Sequence, residues 1–594
     1  MRWVVSSFIL FLHLHSTSQL NIPLLLQNET NIGAPGVRAR ISRKGINYVA
    51  VVLTENLIPD IMNAQLPDGS DEFKVGEEKI VLSEITISSS GKFGPTESDI
   101  SPPNLVLLNI PNLNVTMTAA LNGNLLPVPT TVSIMSESTT VRLSVQILKT
   151  SVGSPNMRIH ECKAESTTGI QLDFTEGPDE QQLSQLEPAI QAQGAKMLAD
   201  LVCNRIQFIV EDRVNDRFGL LSTKVPLAHI NDDELVKDLA AKLRARRQRR
   251  EATPEQSEDM EMEDELADMA RLKRAAPWDL GAGMHLPMGM QIGAGMGRRK
   301  REALIAGFNV SLADGLSLDY TIVTDPKVTK FGLEIESSGE VSLRGRGGTP
   351  FGPVDVQLPQ RVDEQFMLQD LVSDYMVNSL MYHGHTLGIF NTKVTHTTPH
   401  FGPIMRTSCS LNSGVFFCLG DLFPTLRRLH PQRRLALFFN TVQAPVIRFR
   451  TQASGGINFS LFGRIAILVV DPETRKEQQV GEMGIEVSAS MKMRLTTSMV
   501  RPKITLEKIK LSTLSPAVLL QNELDDAVLL AREVLQRMVN DILKDGIPIP
   551  VHPLFKLIKP KVKVMDRALL LQTNFELNEK LMRQLTAGDL RQRL

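Results

Sequence analysis

The sequence predicts an α+β fold built twice over. Three observations carry that prediction. A helix pattern, a set of short alternating strand patterns and a long helix pattern follow one another in the first half. The same order returns in the second half. Between the halves lies a segment too charged and too low in complexity to bury a core.

In the first half, about Asn21 to Ile230, Ile46, Val49, Leu53, Leu57 and Ile61 recur at helical spacing after Gly45. They predict a helix that is apolar nearly all round, with Pro59 kinking or ending it. The segments KIVLSEITISSSG, NLNVTMTAALNG, TVRLSVQILKT and GIQLDFTEG then alternate between turn signals. In VRLSVQIL, Val141, Leu143, Val145 and Ile147 share one face, as a half-buried strand requires. A long helix pattern from about Glu180 to Phe218 follows, carrying Leu183, Leu186, Ile190, Met197, Leu201 and Ile206, with Cys203 in its second half.

The connector, about Asn231 to Arg301, opens with the polar helical piece DELVKDLAAKLRARRQRR. An acidic stretch, Glu251 to Ala270, contains no basic residue, and AAPWDLGAGMHLPMGMQIGAGMG is rich in glycine and methionine. A flexible linker is the expectation. Beyond it, Phe366, Leu368, Leu371, Met376 and Leu380 suggest a helix over Asp363 to Met381. Strand patterns VIRFRTQA, GINFSLFGRIAILVV, IEVSASMKMRL and KITLEKIKL precede a second long helix, about Pro516 to Leu543. In the last strand pattern, Lys559, Lys561 and Lys563 alternate with Ile558, Val562 and Val564, giving one wet face. No letter-by-letter repeat between the halves is evident.

The N-terminus MRWVVSSFILFLHLHSTSQL has one basic residue, an apolar run and small residues before Gln19, the layout of a secretory signal peptide cut after Ser18. A secreted protein is expected, and a nucleic-acid partner is not. Cys162, Cys203, Cys409 and Cys418 allow three pairings in an oxidising compartment, of which Cys162–Cys203 with Cys409–Cys418 is the most local. Asn28, Asn114, Asn309 and Asn458 begin glycosylation sequons. Neither a nucleophile elbow, a zinc-protease motif nor a phosphate loop occurs, and no Cys/His spacing suits zinc. His383 and His385 have no evident ligand partners. The expectation is therefore a non-enzyme without a metal, whose useful chemistry is apolar surface.

Specific stretches give that surface a context. GVRARISRKGINYV resembles the opening of the bactericidal/permeability-increasing protein family, which includes lipopolysaccharide-binding and plasma lipid-transfer proteins. Gly36, Val37, Arg40, Ile41, Ser42, Lys44 and Gly45 carry the match. Ser373, Asp374 and Tyr375 resemble the family's Ser-Asp-Tyr helix, and GIPIPVHPLFKLIKPKVKV its final turn and strand. The Cys162/Cys203 pair looks like its signature disulfide, whereas Cys409–Cys418 departs from the pattern.

The resemblance implies an elongated boomerang of two barrel-plus-long-helix domains joined by a central antiparallel sheet. Its parts would be a signal peptide at 1–18, an N-terminal domain at 19–230, a linker insert at 231–303 and a C-terminal domain at 304–594. Each domain would hold phospholipid-type acyl chains in an apolar pocket, walled by Ile46, Val49, Leu53 and Leu57 in the first and by Leu371 and Met376 in the second. Phospholipid or another amphipathic lipid is the expected ligand. Bacterial lipopolysaccharide, lipoprotein and membrane surfaces are alternative partners.

Two features depart from that picture. Asn21 to Ile230 holds 16 Lys+Arg against 23 Asp+Glu, so the first half is acidic where a binder of lipopolysaccharide should be basic. The linker also carries three Arg-x-(Lys/Arg)-Arg runs, ending at Arg250, Arg274 and Arg301, the last within GMGRRKREAL. Proprotein convertases cut after such runs, which raises the further alternative of a precursor releasing a peptide from Ala275 to Gly297.

Overall fold

The computed structural model describes most of residues 23–227, a helical piece within 237–245, and most of 315–586, with short breaks such as 64–70, 124–129 and 410–416. The segment predicted to be a signal peptide, the basic runs and Asn309 lie outside the described residues.

The first half begins with β1 (Val37–Ile41) and helix α1 (Arg43–Asn63). Strands β2 (Asp71–Val75), β3 (Glu78–Ser88), β4 (Glu97–Ser101), β5 (Leu105–Gly123), β6 (Thr130–Lys149), β7 (Pro155–Ser166) and β8 (Gln171–Thr175) form one antiparallel sheet. Helix α2 (Glu180–Phe208) passes through a π-turn at Ile209–Val214 into α3 (Asn215–Leu220). The helical run predicted over Glu180–Phe218 is thus present, with one wide turn inside it. Helix α1 continues through Pro59 to Asn63 instead of stopping there.

Next come β9 (Lys224–Pro226), β10 (Leu316–Asp319), β11 (Lys327–Thr329), β12 (Gly332–Ser337) and β13 (Val341–Leu343). The second half proper opens with β14 (Leu368–Ser373) and helix α4 (Asp374–Thr386). Strands β15 (Thr392–Val394), β16 (Arg434–Thr441), β17 (Val446–Phe449), β18 (Ile457–Val470), β19 (Glu477–Leu495) and β20 (Met499–Thr513) follow, then helix α5 (Gln521–Leu543). Strand β21 (Ile547–Pro548) completes the second curled sheet, and β22 (Phe555–Met565) and β23 (Ala568–Leu577) end the series.

The expected helix over Asp363–Met381 is therefore a strand followed by a helix. Leu368, Gln369, Leu371 and Ser373 are all buried, because β14 lies inside a sheet covered on both faces. Burial on both faces erases the alternation that marks a strand, and the remaining apolar spacing imitates a helix. Ser373 ends the strand and caps α4, its hydroxyl accepting the Tyr375 N–H at 3.2 Å.

The α+β class and the central antiparallel sheet are as predicted. That sheet has the order β11-β12-β1-β14-β23-β22, and its two middle strands pair symmetrically. Val37 faces Val372, Ala39 faces Asp370 and Ile41 faces Leu368, so β1 and β14 are equivalent strands related by a local two-fold axis at Ala39–Asp370. Each is flanked by a hairpin, β11–β12 on one side and β22–β23 on the other. Strands that follow the linker thus complete structure begun before it: β10 pairs with β9 and β12 with β1.

The family-like residues hold this joint together. Arg38 and Arg40 meet Glu336 at 2.8 Å and Glu334 at 2.7 Å across the β1–β12 pair. The Ser42 hydroxyl donates to the Phe366 carbonyl at 2.8 Å. At Gly45 a Cβ would stand 2.6 Å from the Met367 carbonyl oxygen, a contact no larger residue allows. Asp374 is buried and bound by the Arg567 guanidinium through two bonds of 2.8 and 3.0 Å.

Candidate lipid-contact site

Helix α1 runs from the central sheet onto the first curled sheet, and its apolar residues divide accordingly. Ile46 is buried between Ile100 and Val106 of β4 and β5 and Val328 and Leu333 of β11 and β12. Farther along, Leu53, Leu57 and Ile58 pack with Ile190, Met197, Leu198, Val202 and Ile206 of α2 against the sheet residues Leu113, Met117, Val132 and Ile134. Val49 and Leu53 remain half-buried. Burying such side chains stabilises the fold by about 1.5–3 kcal/mol each. Of the four first-half candidates on this helix, Ile46 therefore belongs to one apolar group, Leu53 and Leu57 to another, and Val49 to neither.

In the second half the two candidates separate. Leu371 lies with Ala568 and Leu570 under Val356 and Leu358, on the face of the central sheet that carries Arg38 and Arg40. Met376 packs with Leu316, Leu318 and Val341. Neither belongs to the core of the second curled sheet, which gathers around Leu435, Ile467, Ile485, Leu506 and Leu524.

The true counterparts of Ile46 were missed. Helix α4 places Val377 and Met381 against Ile447, Phe449 and Ile457 of β17 and β18 and Val564 and Leu569 of β22 and β23. Strand for strand, this is the environment of Ile46. A signal was available, because Ser42-Arg-Lys-Gly-Ile46-Asn47 and Ser373-Asp-Tyr-Met-Val377-Asn378 share the pattern Ser-x-x-x-(Ile/Val)-Asn. Both asparagines do the same work. Asn47 Oδ1 accepts the Ser98 N–H of β4 at 3.2 Å. Asn378 Oδ1 accepts the Ile447 N–H of β17 at 2.9 Å, and its Nδ2 donates to the Ile447 carbonyl at 2.8 Å. Free strand edges leave backbone groups unpaired, and these side chains satisfy them.

A second repeated device fastens the long helices. The Ile159 N–H of β7 donates to Glu211 Oε1 at 2.7 Å, and the Met157 N–H to Asn215 Oδ1 at 2.8 Å. Four residues apart again, Gln536 Oε1 accepts the Leu506 N–H at 2.9 Å and Asn540 Oδ1 the Ile504 N–H at 2.8 Å. Both asparagines return a bond to the carbonyl of the same strand residue, at 2.6 and 2.8 Å. Each edge strand also bulges at the same place: the register shifts where His160 follows Ile159 and where Glu507 follows Leu506.

The structure joins Cys162 to Cys203 and Cys409 to Cys418. Asn28 is exposed, whereas Asn114 and Asn458 lie half-buried in β5 and β18. His385 Nδ1 contacts the Thr441 hydroxyl at 2.5 Å, and His383 is buried, its pKa lowered by burial. Among the described residues no cluster of three metal-ligating side chains forms, and no helix is long and apolar enough to cross a membrane. A groove of about 650 Å³ beside the start of α1 is lined by Arg43, Asp99, Arg142, Glu161 and Lys163. Its charges pair with each other or with neighbours, as in Lys163–Glu161 at 2.6 Å and Arg142–Glu165 at 3.5 Å, so it is a polar surface feature.

Residues 311–577 match the LBP / BPI / CETP family, C-terminal domain. The human lipopolysaccharide-binding protein is 27% identical over 241 residues, 39% of this chain and 47% of that protein. Its bovine counterpart is 26% identical over 263 residues, 43% of this chain and 52% of that one. The chain thus spans about half the length of the curated relatives it matches. A crystal structure of lipopolysaccharide binding protein aligns over 92% of this chain and 99% of its own, at 16% identity and a TM-score of 0.46.

Proposed function

We propose, for a chain that belongs to the LBP / BPI / CETP family, that it is a secreted carrier of phospholipid-type lipids. The single observation behind this reading is the repeated apolar junction at the root of α1 and α4. Ile46 in one half and Val377 with Met381 in the other lie where a helix leaves the central sheet for a curled sheet. Acyl chains entering beside these helices, along Val49, Leu53 and Leu57 in the first half, would gain about 0.8 kcal/mol per methylene removed from water. The acidic first half favours lipids without a strongly anionic head over lipopolysaccharide, the ligand in the names of the similar proteins.

The chain purified from eukaryotic cells should release phospholipid on extraction and move labelled phosphatidylcholine between vesicles. Recovery free of lipid, with no transfer, would defeat the reading. Salt-sensitive binding of lipopolysaccharide would favour the alternative of an innate-immune binder of that bacterial lipid instead.

The basic runs ending at Arg250, Arg274 and Arg301 support a processing step as well. Convertase cleavage there would leave two chains held by the β9–β10 and β1–β12 pairings. Neither disulfide crosses the linker. The cut protein should therefore stay one species on gel filtration yet separate on a denaturing gel without reductant. A single intact chain after secretion would count against processing.

A further inference from the structure

The centre of the joint carries a charge that the fold leaves unmatched. Across the central sheet, Ile335, Ala39, Asp370 and Leu571 form one cross-strand row, and the neighbouring pairs on the same face are Val37–Val372 and Ile41–Leu368. Asp370 is the one acid among them. Its Oδ1 is sealed from water and makes no hydrogen bond, although the side chain keeps part of its surface. Arg38 and Arg40 flank the row in sequence but point to the opposite face, where they are bound to Glu336 and Glu334.

Two other polar groups lie in sequence beyond the linker, one of them close enough to feel the Asp370 charge. Tyr320 packs against the same apolar group as Val37 and Val372, and its hydroxyl is likewise buried without a partner. Its pKa is raised by burial first and by the nearby Asp370 charge second. The Tyr320 ring meets His552 edge-on at 5.3 Å. Burial pushes the His552 pKa down to about 4, so the imidazole is neutral near pH 7 and supplies no cation. A buried carboxyl without a partner is costly, and Asp370 is held up at about 7 by that burial.

The apolar groups around Ile46 and Val377 stand on the two sides of this point, since one includes Leu333 and Ile335 and the other Leu569 of the same sheet face. Asp370 thus lies on the sheet face between two apolar groups, where the head of an amphipath lying along either one would reach it. We propose that Asp370 and Tyr320 form a head-group site for a long-chain amphipath whose polar end is a primary ammonium. The ammonium donates to the carboxylate and to the phenolic oxygen and supplies the missing positive charge. An anionic head of equal chain length is excluded by the carboxylate.

This assignment rests on the lipid-carrier reading, and the test separates the two. The full chain is equilibrated at pH 8 with a radiolabelled C18 primary amine or the C18 carboxylate, and with phosphatidylcholine vesicles in parallel. Pickup of phosphatidylcholine tests the carrier reading alone. The amine should bind more tightly than the carboxylate; Asp370→Asn should weaken it about tenfold. Tyr320→Phe, which keeps the ring, should weaken it severalfold, with thermal melting showing that each variant is folded. Equal affinity for amine and carboxylate, or amine binding unchanged in both variants, overturns the head-group site even if phosphatidylcholine is picked up.

Discussion

The two halves fasten their long helices differently. In the first, the Glu211–Asn215 clamp on β7 is reinforced by the Cys162–Cys203 bond between the same strand and α2. In the second, the Gln536–Asn540 clamp on β20 acts without a covalent partner, because α5 contains no cysteine and Ile509 occupies the position corresponding to Cys162. One fold thus has a tethered helix and an untethered one. The difference locates the freer element in the second half, where α5 also exposes Leu529.

The largest expected effect comes from removing the tether. Replacing both Cys162 and Cys203 by Ser should cost about 4 kcal/mol in urea unfolding, the loop-entropy value for a loop of this size. A loss below about 1 kcal/mol would mean that the clamp alone holds α2, and the comparison would break. Next is the symmetric pair Ala39 and Asp370. The folded carboxyl titrates at about 7 and the unfolded one near 3.8, so the wild-type chain loses stability as pH rises between those values. Asp370→Asn should therefore stabilise the chain by about 2 kcal/mol at pH 8, a gain that disappears near pH 4, measured by melting at both pH values. His552 acts oppositely: with its folded pKa lowered to about 4, stability falls as pH drops from 6.5 toward 4. The two slopes oppose each other over nearly the same range, so they should largely cancel in the wild-type chain between pH 4 and 6.5, and the His552 slope should emerge in Asp370→Asn.

Asn540→Ala should cost about 2 kcal/mol by leaving both backbone groups of Ile504 unpaired. Its sharper signature is hydrogen exchange. Protection at Ile504 and Leu506 should fall further than protection at Met157 and Ile159 does in Asn215→Ala, because the disulfide retains α2. The smallest contrast is at the helix roots. Asn378 is buried with two bonds below 3 Å, whereas Asn47 is exposed and accepts from Ser98 at 3.2 and 3.3 Å. Asn378→Ala should cost about 1.5 kcal/mol and Asn47→Ala about 0.5 kcal/mol.

Much of the architecture was legible in the residues because amphipathic strands and long helices have distinct periods. VRLSVQIL alternates, and α2 and α5 present apolar stripes of ordinary width. What failed was β14, where burial on both faces removes the period, and with it the placement of Leu371 in a helix. The second-half counterparts of Ile46 were legible in principle through the Ser-x-x-x-(Ile/Val)-Asn repeat, but six positions with three matches do not stand out before a structure aligns them. The pairing of post-linker strands with pre-linker ones had no local signal at all. Register across a sheet is set by neighbours far away in sequence, as Val225 opposite Leu318 illustrates.

That last pairing has an evolutionary consequence. Pro226 and Ser317 are rungs of one ladder, so the chain departs and returns at neighbouring points. The intervening segment is a closed excursion whose two ends stay together whatever its length, and each doubling of that length costs only about 0.6 kcal/mol in closure entropy. Insertions, deletions and new recognition sequences can accumulate there while the sheet registers on both sides keep their geometry. The fold offers this stretch to variation at almost no risk to itself.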